Sequence, residues 1–242
     1  MKKVGLVLEG GSMRGLFTSG VLDTFLENSI EVDGIVAVSA GALFGVNYLS
    51  KQKGRGLRYN KKYIGDKRYI SLHSLITTGN LINKDFTFYK IAKELDPIDN
   101  ETFKNSNKDF YITATNVETG LPEYIKITDP IEQLEAFRAT SAIPFASEII
   151  EIDNKQVKMV EIKYHKYKRF INAMKQRYIK YNNTLEKIID LENKKEIFVI
   201  RPSQKINLNI LVNNPEKIQE VYDLGVNDCQ KILSSLKEYL NK

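Results

Sequence analysis

Two short apolar runs, each ending in a cluster of small residues and followed by an amphipathic stretch, fix what this chain can fold into. Val4-Gly5-Leu6-Val7-Leu8 has the length and composition of a buried strand. A loop follows, Glu9-Gly10-Gly11-Ser12-Met13-Arg14-Gly15. Leu16, Phe17, Val21, Leu22, Phe25 and Leu26 then recur at helical spacing, which predicts a helix to about Asn28 with those residues on its core face. The pattern repeats after the Asp33-Gly34 turn. Ile35-Val36-Ala37-Val38 is a second strand, Ser39 ends it, and Ala40 to Leu49 reads as a helix. Strand, helix, strand, helix in this order is the signature of an α/β fold with parallel strands.

Lys51 to Asp99 is basic, aromatic and weakly periodic, and reads as short helices and loops. Phe110 to Asn116 predicts a strand, turned by Glu118-Thr119-Gly120 into a partner around Glu123 to Thr128. A helix is expected from Pro130 through Arg138, then the segment Ala139 to Pro144, then a short strand or hairpin within Ile149 to Val157. The texture changes at Glu161. A Lys/Tyr-rich helical stretch runs to about Asn193, Ile197 to Ile200 reads as a strand, and Glu216 to Leu240 as a final helix. The expected division is residues 1–160 as the α/β domain and 161–242 as a mainly helical extension packed on it.

Composition narrows the function classes. With 242 residues, 42% of them hydrophobic, a full core can be buried. A single cysteine, Cys229, excludes an intrachain disulfide. No His, Cys, Asp or Glu cluster has metal-ligand spacing, so no metal or cofactor is expected. The net charge of +6 is concentrated between Lys155 and Lys195. It reads first as a solvated helix face and second as a surface able to attract anionic phospholipid or nucleic acid. No nucleic-acid-binding module is visible. The apolar run after Met1-Lys2-Lys3 stops at Glu9, too short for a signal peptide, and no run approaches the ~18 apolar residues of a spanning helix. The expectation is a cytoplasmic protein whose contact with a membrane is peripheral.

Ser39 carries the chemistry. A serine hydroxyl is almost wholly protonated at neutral pH and needs a base and oxyanion donors to act as a nucleophile. Ala37-Val38-Ser39-Ala40-Gly41 resembles a nucleophile elbow, the strand-to-helix turn written G-x-S-x-G, with Ala37 in place of the first Gly. Taken alone, the tripeptide Ser39-Ala40-Gly41 is equally an ordinary β–α turn. The glycine loop also fits G-x-G-x-x-G loosely, but the second strand lacks the acidic end that a dinucleotide ribose requires.

Leu8-Glu9-Gly10-Gly11-Ser12-Met13-Arg14-Gly15 followed by Val38-Ser39-Ala40-Gly41-Ala42-Leu43, with Ser141-Ala142-Ile143-Pro144 downstream, is similar to the patatin-like phospholipase family. The resemblance covers roughly Met1 to Asp153, and the tail resembles the C-terminal extension of a bacterial branch. It implies a three-layer α/β fold with a mainly parallel sheet flanked by helices, and a Ser–Asp dyad needing no histidine. It also implies oxyanion donors from Gly11 and Ser12, to which the glycine loop adds Gly10 and the helix N-terminus after Ser39 adds Ala40, and Arg14 supporting the loop or meeting a phosphate. The substrate class is phospholipid or another acyl-ester lipid.

The family's Asp-Gly-Gly or Asp-Gly-Ala motif is missing. No Asp-Gly dipeptide occurs after Ser39; Asp33-Gly34 precedes the elbow. Three readings stay open: natural loss of the segment, a shortened chain, or substitution by another carboxylate, for which Asp153 is the nearest candidate and Glu161 the next. The activity expected is hydrolysis of carboxylic esters through an acyl-Ser39 intermediate. The alternatives are a catalytically silent protein binding lipid or a partner, and an acyltransferase.

Overall fold

Three parallel strands and one antiparallel strand form a single sheet in the order β1-β2-β3-β4. The strands are β1 Gly5–Leu8, β2 Gly34–Ala37, β3 Asp109–Thr115 and β4 Pro122–Lys126. The computed structural model describes residues 3–143, 146, 147, 150 and 166–241. β1 runs in register with β2 and β2 with β3, so that Leu6, Ile35 and Phe110 form one row and Leu8, Ala37 and Ile112 the next. Alternation along each strand sends both rows to the same face. Phe110, Ile112, Ile35 and Ala37 are buried there. The opposite face carries Val7, Val36 and Tyr111 in one row. Val7 is 80% exposed, and among the described residues β1 pairs with β2 alone.

Helices pack on the sheet as the apolar spacing requires. α1 (Leu16–Glu27) buries Leu16, Phe17, Val21, Leu22 and Phe25, and α2 (Ala40–Leu49) is buried along most of its length. Between Lys51 and Asp99 lie α3 (Arg55–Tyr63), α4 (Leu72–Thr78) and a wide π-helical segment, Lys84–Leu95. α5 (Asn100–Asn105) leads into β3. α6 begins at Leu134 and ends at Ser141, later than the expected Pro130. The reason is local: Asp129 Oδ1 accepts the N–H groups of Ile131 and Glu132, each at 3.0 Å, and holds a turn before the helix.

The C-terminal part contains α7 (Lys168–Lys175), α8 (Arg177–Asn193) and α9 (Pro215–Leu240). The Lys/Tyr-rich stretch is thus two helices meeting at Gln176 rather than one. Ile197 to Ile200 is not a strand. Phe198 and Ile200 still pack on the main core, but no strand lies beside them among the described residues, and a strand needs a ladder partner. Apart from Ile150, the hairpin expected within Ile149 to Val157 lies outside the described residues.

α9 starts where Asn214 Oδ1 accepts the N–H groups of Glu216 at 2.9 Å and Lys217 at 3.2 Å, with Pro215 at the first helical position. It crosses α1 at backbone contact. A Cβ on Gly20 would collide with the carbonyl oxygen of Tyr222 and lie 2.9 Å from the Val226 nitrogen. A Cβ on Gly225 would collide with the Phe17 carbonyl. Asp23 on α1 adds a polar clamp, accepting the Tyr222 hydroxyl at 2.7 Å and the Gly54 N–H at 2.9 Å.

Candidate active site

Ser39 stands between β2 and α2 with φ 53° and ψ −124°. That combination is unfavourable for any residue with a side chain, at a cost of order 1–3 kcal/mol. It is held because every neighbour is fixed. The elbow and the glycine loop touch through missing side chains. A Cβ on Gly41 would lie 2.6 Å from the Leu8 oxygen and 2.9 Å from the Glu9 oxygen. A Cβ on Gly10 would sit 3.0 Å from Ser39 Cβ, and one on Gly15 would sit 2.7 Å from Ala40 Cβ. Ala37 is buried at the first-glycine position of the elbow, so one methyl is accommodated there.

Among the described residues, backbone N–H groups without helical or strand acceptors lie next to Ser39 in the chain and in the glycine loop. Ala40 N–H opens α2, where the first N–H groups have no intrahelical acceptor and the helix dipole is positive. Gly10 and Gly11 lie in the loop between β1 and the short 3₁₀ turn Ser12–Gly15. Among the described residues their N–H groups take no backbone acceptor. Ser12 occupies the left-handed region at φ 51°, a geometry that favours glycine, and it opens the 3₁₀ turn. Arg14 is exposed on that turn. The structure thus brings Gly10 against Ser39, with Ala40 next to Ser39 in the chain and Gly11 and Ser12 following Gly10 in the loop, while Asp153 and Glu161 lie outside the described residues.

One further residue positions the elbow. Thr140 Oγ1 accepts the Ser39 N–H at 2.7 Å and donates to the Thr113 carbonyl at 2.7 Å. The serine is thereby tied to α6 and β3 across a separation of 101 residues. Nothing local in the sequence marks Thr140; only its place beside Ser141-Ala142 hinted at the segment. The residue before Gly10 makes another contact. Tyr181 on α8 donates to Glu9 Oε1 at 3.0 Å. That hydrogen bond, with the Glu9 charge behind it, raises the Tyr181 hydroxyl above its ordinary range, while Arg14 and Arg177 nearby oppose the shift. Among the described residues no cluster of His, Cys, Asp and Glu is placed to hold a metal.

Ser39 is thus a strained residue on a strand-to-helix turn, packed on a glycine loop. The chain belongs to the patatin-like phospholipase family, which it matches over residues 6–169; residues 167–241 match a domain family of unknown function, DUF6363. It is 31% identical over 146 residues to the protein YjjU of Escherichia coli (strain K12). That match covers 59% of this chain and 40% of YjjU, so the chain spans well under half the length of that relative. VipD from Legionella pneumophila is similar at TM-score 0.40 and 13% identity, over 97% of this chain and 67% of VipD. No helix among the described residues is long and apolar enough to cross a membrane.

Proposed function

We propose that the chain is a serine acyl hydrolase that cleaves carboxylic ester bonds of phospholipids or related acyl lipids, with Ser39 as nucleophile. The observation that carries this reading is the strained Ser39 backbone at an elbow packed on the glycine loop, with Gly10 against Ser39, Gly15 against Ala40 and Gly41 against Leu8 and Glu9. Ser39 Oγ attacks the ester carbonyl carbon and its proton passes to a carboxylate. The oxyanion is held by N–H groups from Gly10, Gly11, Ser12 and Ala40. The alcohol leaves with a proton, and water then releases the fatty acid from the acyl-serine. Asp153 is the carboxylate we assign as base, and Arg14 supports the loop or meets a lipid phosphate. Family membership supports the lipid substrate class.

A second reading rests on a separate observation. Among the described residues no carboxylate hydrogen-bonds the Ser39 hydroxyl, and no Asp-Gly dipeptide follows Ser39 in the sequence. A chain without a base loses roughly 10²–10⁴-fold in rate and keeps a lipid-binding cleft. A fluorophosphonate probe, which reacts with activated serines, separates the two. Labelling that is lost in Ser39→Ala and reduced in Asp153→Asn supports the hydrolase with its assigned base. A folded wild-type chain that stays unlabelled but binds lipid establishes the silent reading.

A further inference from the structure

α8 is a helix without a buried residue. Its sequence is nonetheless amphipathic. Tyr178, Tyr181, Leu185 and Ile189 fall on one stripe, and Tyr178 is 67% and Ile189 51% exposed. α7, by contrast, has spent its apolar side: Phe170, Ile171 and Met174 pack against Val117. Its cations therefore face solvent. From residue 166 to residue 185 the chain carries Lys166, Lys168, Arg169, Lys175, Arg177 and Lys180, with no Asp or Glu. Past Leu185 the rim is mixed, with Glu186, Lys187, Asp190 and Glu192, so the basic residues flank α7 and the first half of the stripe; an apolar stripe beside a basic rim is the pattern of a helix that lies in a membrane interface. The stripe reaches the glycine loop, because Tyr181 is bonded to Glu9, the residue before Gly10.

We propose that α7 and α8 form the docking surface of this protein for an anionic phospholipid bilayer: the α8 stripe enters the headgroup boundary, the basic residues pair with lipid phosphates, and the Ser39 mouth is held at the bilayer surface. This rests on the lipid-hydrolase reading of Ser39 and deepens it by naming where the substrate phase binds. It assigns a role to part of the region matched only to DUF6363. The apolar stripe supplies burial and the cations supply preference for negative lipid, each cation near the surface adding to binding and being weakened by salt.

The test is sedimentation of the full chain with vesicles of phosphatidylcholine alone and of phosphatidylcholine mixed with phosphatidylglycerol. Two variants are compared, Tyr178→Ser/Leu185→Ser/Ile189→Ser and Lys175→Glu/Lys180→Glu. All five positions are exposed, so circular dichroism should be unchanged. The expected result is selective binding to the anionic vesicles, reduced at least about tenfold by either variant and weakened by salt. Hydrolysis of a soluble ester, p-nitrophenyl butyrate, should be unaltered in both variants. Wild type that fails to sediment, or variants that sediment as wild type does, overturn the docking proposal and leave the stripe to a protein partner. Sedimentation with no soluble-ester hydrolysis supports docking and removes the catalytic reading instead. Hydrolysis without sedimentation does the reverse.

Discussion

Ser39 is bound to its conformation from two sides: by the glycine approaches beneath it and by Thr140 at its amide. Each can be tested separately. Thr140→Val removes the acceptor for the Ser39 N–H while keeping the volume. The part-buried amide is left unpaired at a cost of about 1 kcal/mol or more, so probe labelling of Ser39 should slow by several-fold or more. Thr140→Ser, which restores a hydroxyl, should recover most of the rate. The left-handed φ of Ser39 makes the opposite prediction for stability. Ser39→Gly removes the unfavourable backbone geometry and should raise Tm by a few degrees, whereas Ser39→Ala should not. A thermal melt of the two variants side by side checks this. Unchanged or lower Tm in Ser39→Gly would mean that the elbow is not strained.

At the level of elements, the α1–α9 crossing is where the C-terminal helix grips the helix that leads out of the glycine loop. A methyl at Gly225 meets backbone, which cannot rotate aside, so Gly225→Ala should cost about 1–3 kcal/mol and lower Tm by several degrees. The same crossing holds Asp23, whose burial raises its carboxyl above the usual range against the opposing hydrogen bonds from Tyr222 and Gly54. A carboxyl that binds its proton more tightly when folded favours the fold at low pH, and that contribution is lost as pH rises through its folded-state value. Wild type should therefore lose stability relative to Asp23→Asn as pH rises from the ordinary carboxylate range through the raised folded-state value, measured by denaturant titration. β1, α1, β2 and α2 were all legible in the sequence, because apolar periodicity and small-residue punctuation agreed at each junction. Ile197 to Ile200 misled because four apolar residues have strand composition whether or not a neighbouring strand exists. The break at Gln176 and the Thr140 bond were invisible for a related reason: both depend on what the folded chain brings alongside.

For the whole molecule, the core extends from the sheet through α1 to α9, where Cys229 is fully buried. Burial pushes its thiol up to about 11, so at pH 8 it is both inaccessible and protonated. Ellman's reagent should leave the native chain unreacted, and the reaction should appear with the global unfolding transition; fast modification in buffer would place α9 off the body of the protein. That thiol also serves as a clock for a different event. Parallel strands are ordinarily shielded on both sides, yet β1 has one bonded neighbour among the described residues and a solvent-facing Val7. The glycine loop hangs from the end of this strand. Amides of β1 should exchange with deuterium before those of β2 and β3, through local openings that leave the α1–α9 core intact. The glycine loop would thus be mounted on the part of the sheet expected to fray first, and Ser39 labelling should decay at a lower denaturant concentration than Cys229 becomes reactive. Loss of function in this protein would then be an early, reversible melting of one edge, well separated from the loss of the fold.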